Sequence, residues 1–214
     1  MKKVLVLVLT ICLLMVSAQA FAAGSFNTSV FQNVYGIEVN TDDMKNATYI
    51  DLDPDTESWR ESFFDPAFSD YYYCAFYPSI RINSSGVAVL RWFCDFYGED
   101  WAFIDEIIVK VGDNRYSFSD VDINRNVVDH GDVMEELGIV FGAEHLAFLE
   151  DFAAHCEDGP VKVRLCGDNY DVDFTMSDTM VKWLKTFITL YDEGGALNAS
   201  YLSDVSPTNT MSTY

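Results

Sequence analysis

The feature that most limits how this chain can fold is a pair of β-rich runs, 71–82 and 87–97, set around Asn83-Ser84-Ser85-Gly86. Both runs are crowded with aromatic and β-branched residues, and the polar tetrad ending in Gly is a hairpin signal. Pro78 has no N–H to give a neighbouring strand, so the first run reads as an edge strand or as one bulged at that point. Placing Cys74 opposite Cys94 centres the turn on Ser84. In that register Tyr72 opposes Phe96 and Phe76 opposes Trp92, an apolar face that belongs to a core. The other face pairs Tyr73 with Asp95, Tyr77 with Arg91 and Tyr71 with Tyr97. Tyrosines mixed with a carboxylate and a guanidinium make a half-wet surface that can stack on a ligand and hydrogen-bond to it. These six residues are the candidate ligand-binding set, and the bland alternative is that helices cover them.

The rest of the chain repeats the hairpin pattern and ends in helices. Segment 34–39 alternates as a strand, while Asp53-Pro54 with Trp59 and Phe63 reads as a short helix that stops before Pro66. Segment 103–111 and its return over 115–119 flank a Gly-Asp-Asn turn; 161–165 and 170–176 flank a second one. The two units echo each other, through duplication or through independent use of a favourable turn. Segment 127–141 fits either strand or helix. Leu146, Leu149, Phe152 and Ala153 share a stripe in a helix over 143–155, and Ser177 caps another that runs to Glu193 before Gly194-Gly195. Strands dominating the first two-thirds, with two helices closing the chain, predict an α+β fold: antiparallel sheet built from hairpins, with the two helices packed against it. Residues 23–195 form one domain in this reading, and 196–214, rich in Ser, Thr and Asn, form a flexible tail.

The N-terminus decides the compartment. Lys2 and Lys3 precede an apolar segment of about 13 residues, too short for a bilayer-spanning helix, and then Ala18-Gln19-Ala20 and Ala20-Phe21-Ala22. Residues 1–22 therefore read as a cleavable signal peptide, the mature chain as secreted or periplasmic, with no membrane insertion after cleavage. Net charge is −21, and loss of Lys2 and Lys3 takes it to −23. Such an acidic surface argues against nucleic-acid partners and keeps a protein soluble. Aromatic content of 15% excludes disorder.

Four cysteines remain after cleavage. Their spacing fits no zinc module, so an exported chain points to disulfides: Cys74 with Cys94, and by default Cys156 with Cys166. The second pair is strained, because Cys156 ends a helix and Cys166 lies roughly 16 Å along a straight strand from Val161. Free thiols are the alternative there.

Chemistry-bearing motifs are scarce. Asp51-Leu52-Asp53-Pro54-Asp55-Thr56-Glu57 lacks the Gly and Glu of a calcium loop, and Asp120, Asp122, Asn124 and Asn126 likewise lack a turn Gly. His130, His145 and His155 are ten or more apart, and His155 sits where a helix dipole favours a cation. The reading calls for no catalytic residue, no metal and no cofactor. Asp95, Glu99, Asp100, Asp105 and Glu106 lie in an aromatic-rich region, which keeps a glycosidase-like hydrolase with paired carboxylates as the alternative. The leading expectation is a non-enzymatic binding module for a polysaccharide or a surface protein. A structural or inhibitory protein acting through its acidic surface is a third reading.

Overall fold

In a computed structural model, which describes residues 26–53, 60–65, 70–128, 131–207 and 209–213, hairpins build two antiparallel sheets and helices close over them. The strands are β1 (Ile37–Asp42), β2 (Ala47–Leu52), β3 (Arg60–Asp65), β4 (Asp70–Ile82), β5 (Ala88–Gly98), β6 (Ile104–Val111), β7 (Asn114–Ser119), β8 (Asp122–Val127), β9 (Val133–Val140), β10 (Lys162–Gly167), β11 (Val172–Thr175) and β12 (Thr210–Thr213). The helices are α1 (Leu146–His155), entered through a 3-10 turn at Ala143–His145, α2 (Asp178–Glu193) and a single turn, α3 (Ala199–Leu202). The seven-stranded sheet runs β1-β2-β4-β5-β9-β8, with β3 also on β4; the five-stranded sheet runs β11-β10-β6-β7-β12. The fold is α+β. No helix among the described residues is long and apolar enough to cross a membrane.

The central hairpin forms, but its register differs from the expected one by two residues. Cys74 opposes Phe96, and Phe76 opposes Cys94, because the loop closes between Ile82 and Ala88 rather than tightly about Ser84. Asn83 sets that loop: its side chain accepts from the N–H groups of Ser85 and Val87. A two-residue slip exchanges partners but preserves faces, since side chains alternate with period two. The two cysteines thus become diagonal neighbours, whose Cα atoms stand about 7–8 Å apart, beyond the disulfide window. All four of Cys74, Cys94, Cys156 and Cys166 are free thiols in this structure.

Pro78 sits in an interior strand for a local reason. β2 pairs β4 from Ser79 onward and β3 pairs it up to Ala75, so neither covers Phe76–Pro78. The absent N–H falls in that gap. β3 is also a correction: Phe63, read as part of a helix, lies in a strand, where it pairs with Tyr72. Pro54 to Trp59 lie outside the described residues. The ambiguous 127–141 segment resolves as the end of β8 and the whole of β9.

Trp92 marks the centre of the core. Its fully buried indole meets Phe76, Phe141, Phe148 and Phe152 edge-on, with ring centroids 4.9–5.9 Å apart. Phe148 of α1 also touches Tyr116 and Phe118 of β7, so α1 joins the inner faces of both sheets. The Ser177 side chain caps α2 by accepting from the Met180 N–H.

Residues 196–207 and 209–213 depart from the flexible-tail reading. Tyr201, Leu202 and Val205 are buried, and β12 pairs with β7. Ala88 lies beyond the reach of β9, which pairs β5 only from Arg91 onward. Its N–H donates to the Tyr201 hydroxyl at 2.7 Å, and its carbonyl accepts from the Tyr191 hydroxyl at 2.9 Å. The tail and α2 together satisfy a backbone unit that would otherwise be buried unpaired.

A buried carboxylate ties the two sheets together. Glu135 on β9 is 0% exposed and accepts from the N–H groups of Ala102, Phe103 and Ile104 at 2.8–2.9 Å, where the chain crosses into β6. Arg125 Nε adds a fourth contact at 2.9 Å and its terminal nitrogen donates to the Ile104 carbonyl. Phe103 holds φ of 56°, the left-handed turn that aims successive N–H groups at one anion.

Candidate functional site

The helices pack on the cysteine and Trp92 face of the large sheet, and its other face carries the predicted residues. Alternation places Tyr73, Tyr77, Arg91, Asp95 and Tyr97 together on it. Tyr71 contributes backbone to β4, and its side chain lies outside the described set. Tyr73 is 48% exposed; Tyr77, Arg91 and Tyr97 are half-buried; Asp95 is buried at 7%. The partners differ from those expected: Tyr73 faces Tyr97, Tyr77 faces Phe93, Ala75 faces Asp95, and Arg91 faces Ser79.

The corrected register assembles one cluster. Tyr77 stacks on Phe93 with ring centroids 5.5 Å apart, and the Arg91 guanidinium lies 5.0 Å from the Phe93 ring centre. Tyr77 donates its hydroxyl to Asp95 Oδ1 at 3.3 Å, and Arg91 donates to Ser79 Oγ at 3.1 Å. Burial, then the Asp95 charge, pushes the Tyr77 phenol far above its ordinary pKa, so it stays a hydroxyl donor. Burial also lowers the Arg91 guanidinium, with Asp51 opposing the shift and Arg81 adding to it. Arg91 Nε is buried without a hydrogen-bond partner.

Beside this cluster the sheet opens into a depression of about 580 Å³. Arg81 and Arg91 stand on one side, Asp122, Asn124 and Glu136 on the other, and Phe93 and Gly138 lie between. Gly138 faces Phe93 on one strand and Asp122 on the next. A Cβ there would sit 3.5 Å from the Phe93 ring and 3.6 Å from Asp122 Cβ, ordinary contact distances. The glycine therefore leaves room above the sheet rather than relieving a clash. No family model, curated protein or solved structure matches this chain.

The remaining candidates scatter. Glu99, Asp100 and Asp105 are exposed away from the depression, and Glu106 lies on the other sheet, where it opposes Cys166 and accepts the Ser117 hydroxyl. Cys166 is half-buried and its thiol is pushed up to about 12, by burial first and then by Asp171. Cys156 caps the end of α1. His145 is fully buried, with its Nδ1 accepting from the Gly142 N–H and its Nε2 3.0 Å from Asn209 Nδ2. His155 is exposed and meets Asp151 one turn earlier at 2.9 Å. His130 lies outside the described residues, as do residues 54–57 of the acidic loop; among the described residues no group of three metal-ligating side chains converges.

Phe93, Arg81, Gly138 and Glu136 fall outside the residues that sequence reasoning singles out, and Asp122 and Asn124 enter it only as an oxygen-ligand alternation. Phe93 and Arg81 were accessible from alternation alone, since both share parity with Tyr77. The others come from β8 and β9, whose adjacency to β5 is a tertiary choice.

Proposed function

We propose that the chain is exported and acts as a non-enzymatic binding module that takes a polysaccharide on the outer face of the seven-stranded sheet. The supporting observation is the depression itself: an apolar floor of Phe93 and Gly138 between a guanidinium wall and a wall of carboxylates and an amide. A sugar ring has an apolar C–H face and a rim of hydroxyls that donate and accept at once. Stacking on Phe93 answers the first, and opposed donor and acceptor walls answer the second. The volume lies within the range of about 300–1,000 Å³ usual for small-ligand sites, which favours a few sugar units over a flat protein partner. Two cations face two carboxylates across the depression, so the fitting glycan is uncharged.

The hydrolase alternative has one observation in its favour. Asp95 and Glu136 are directly opposed across β5 and β9, and such neighbours stand about 4.5–5.5 Å apart at Cβ, near the carboxylate spacing of retaining glycosidases. Asp95, however, is 7% exposed and already takes the Tyr77 hydroxyl, which leaves it poorly placed to meet a glycosidic oxygen.

A glycan array probed with the secreted protein, followed by titration calorimetry on any hit, tests the reading. Asn124→Ala and Gly138→Leu should weaken binding about tenfold or more while the folded spectrum persists. Undiminished binding by both variants, or an array without hits, overturns it. Turnover of chromogenic glycosides that is lost in Glu136→Gln would install the hydrolase in its place.

A further inference from the structure

The strands that end the two sheets differ in how they are guarded. An edge strand leaves the N–H and C=O groups of alternate residues unpaired, and proteins blunt such edges with charge, proline, bulges or shortness. β11 and β12, the edges of the five-stranded sheet, have four residues each. β1, at one end of the seven-stranded sheet, carries Glu38 and Asp42. β8, at the other end, is poorly guarded. Its six residues, Asp122-Ile123-Asn124-Arg125-Asn126-Val127, are all exposed, and they pair with β9 residue for residue without a bulge. Among the described residues no strand pairs with its other side. The segment has no Lys or Pro, and Asp122 and Arg125 cancel in charge, in a chain where acidic residues outnumber Lys and Arg by 34 to 13.

Exposed apolar side chains gather at the same edge. Ile123 is 37% exposed and Val127 67%, and they share one face of β8 with Arg125. Phe103, 39% exposed, lies beside them, its ring centre 5.5 Å from the Arg125 guanidinium. Glu135 and the Ile104 carbonyl hold that guanidinium back on its own chain, so it does not fend off a strand.

We infer that β8 is a dimer interface, at which a second copy of this chain pairs antiparallel through its own β8 and joins the two seven-stranded sheets. Residues opposed in a joined sheet must belong to the same face, so their numbers sum to an even value. With Arg125 of both copies on the twofold axis, Ile123 of each copy lies opposite Val127 of the other, and Asn124 lies opposite Asn126. The exposed β-branched side chains then cover one another, and the amides donate and accept at once. Asp122 falls opposite Val128 rather than another carboxylate, and each Arg125 arrives already neutralised by its own Glu135 at 2.9 Å. Two molecules of net charge −21 repel over most of their surfaces, and this edge lets them meet without opposed carboxylates. Such a twofold contact is self-complementary and closes after two copies. The pairing does not depend on what the depression takes; it keeps the outer faces of both copies on one side of the joined sheet.

Sedimentation velocity of the purified secreted protein over about a hundredfold range of concentration should show a reversible monomer–dimer equilibrium. Val127→Lys should weaken the dimer about tenfold or more by placing a cation at the seam, and Ile123→Glu should do the same with an anion. The two changes combined should restore it, because each new cation then faces a new carboxylate of the other copy. Val39→Lys on β1, where Val39 is 43% exposed, should leave the dimer intact. The far-UV spectrum should persist in every variant, since all three side chains are exposed. A parent that is monomeric throughout overturns the pairing, including one that stays monomeric yet binds an added peptide of alternating Thr and Val, which would give the edge to a foreign strand. So does a dimer that ignores both single changes on β8, one that Val39→Lys dissolves, or one that the combined change fails to restore.

Discussion

Replacing Glu135 by Gln perturbs a buried carboxylate that links the two sheets. The carboxylate accepts from Ala102 and Phe103 N–H through Oε1, and from Ile104 N–H and Arg125 Nε through Oε2, all at 2.8–2.9 Å. A glutamine keeps one acceptor oxygen and turns an NH2 toward two donors. The Ile104 N–H is buried, and an unsatisfied buried donor costs about 1–3 kcal/mol. Arg125 loses its counter-charge while its side chain is 33% exposed, so water repays part of its loss. The sum falls near the 3–5 kcal/mol expected for breaking a buried ion pair from one side. Urea unfolding of parent and variant, read by tryptophan fluorescence, should show the midpoint falling at unchanged slope. Adding Arg125→Gln to Glu135→Gln should cost less than the two single changes combined, because the cation no longer lacks its partner. A loss below about 1 kcal/mol in Glu135→Gln would refute the assignment of the sheet junction to this carboxylate.

Tyr201→Phe leaves the buried Ala88 N–H without its acceptor and should lower stability by about 1–3 kcal/mol, measurable by the same urea titration; an unchanged midpoint would mean that the tail does not plug β5. Burial holds the His145 imidazole below its ordinary pKa. The unfolded chain therefore takes up a proton near pH 6.5 that the folded chain refuses, and stability present above that pH is lost as pH falls through it, by at most about 1.4 kcal/mol per unit. His145→Gln should flatten the stability profile between pH 7 and 5.5, and an identical slope would contradict the buried-imidazole assignment. Burial pushes the Cys74 and Cys94 thiols well above their ordinary pKa, so iodoacetamide should modify neither in the native protein and both in denaturant. Recovery of a Cys74–Cys94 linked peptide without reduction would instead restore the register that pairs them.

Local chemistry determined much of this protein. Alternation along 71–97 separated the Trp92 and cysteine face from the Tyr77 and Arg91 face, and that separation survives a two-residue change of register because the side-chain period is two. Ser177 and the apolar stripe behind it placed α2, and the Gly-Asp-Asn turns placed two hairpins that lie side by side through β6 and β10. Tertiary structure decided what local signals cannot carry. The five-residue loop held by Asn83 set the strand partners, since loop geometry rather than face preference fixes register. Phe63, expected on a helix, joined a strand that pairs with β4, a long-range partner that no local signal names. Tyr201, Asn209 and β12 are held in the fold because Ala88, Val140 and β7 had backbone groups to satisfy. The depression exists only because β9 lies against β5 and presents Gly138 beside Phe93, a contact between residues 45 apart that no local pattern encodes.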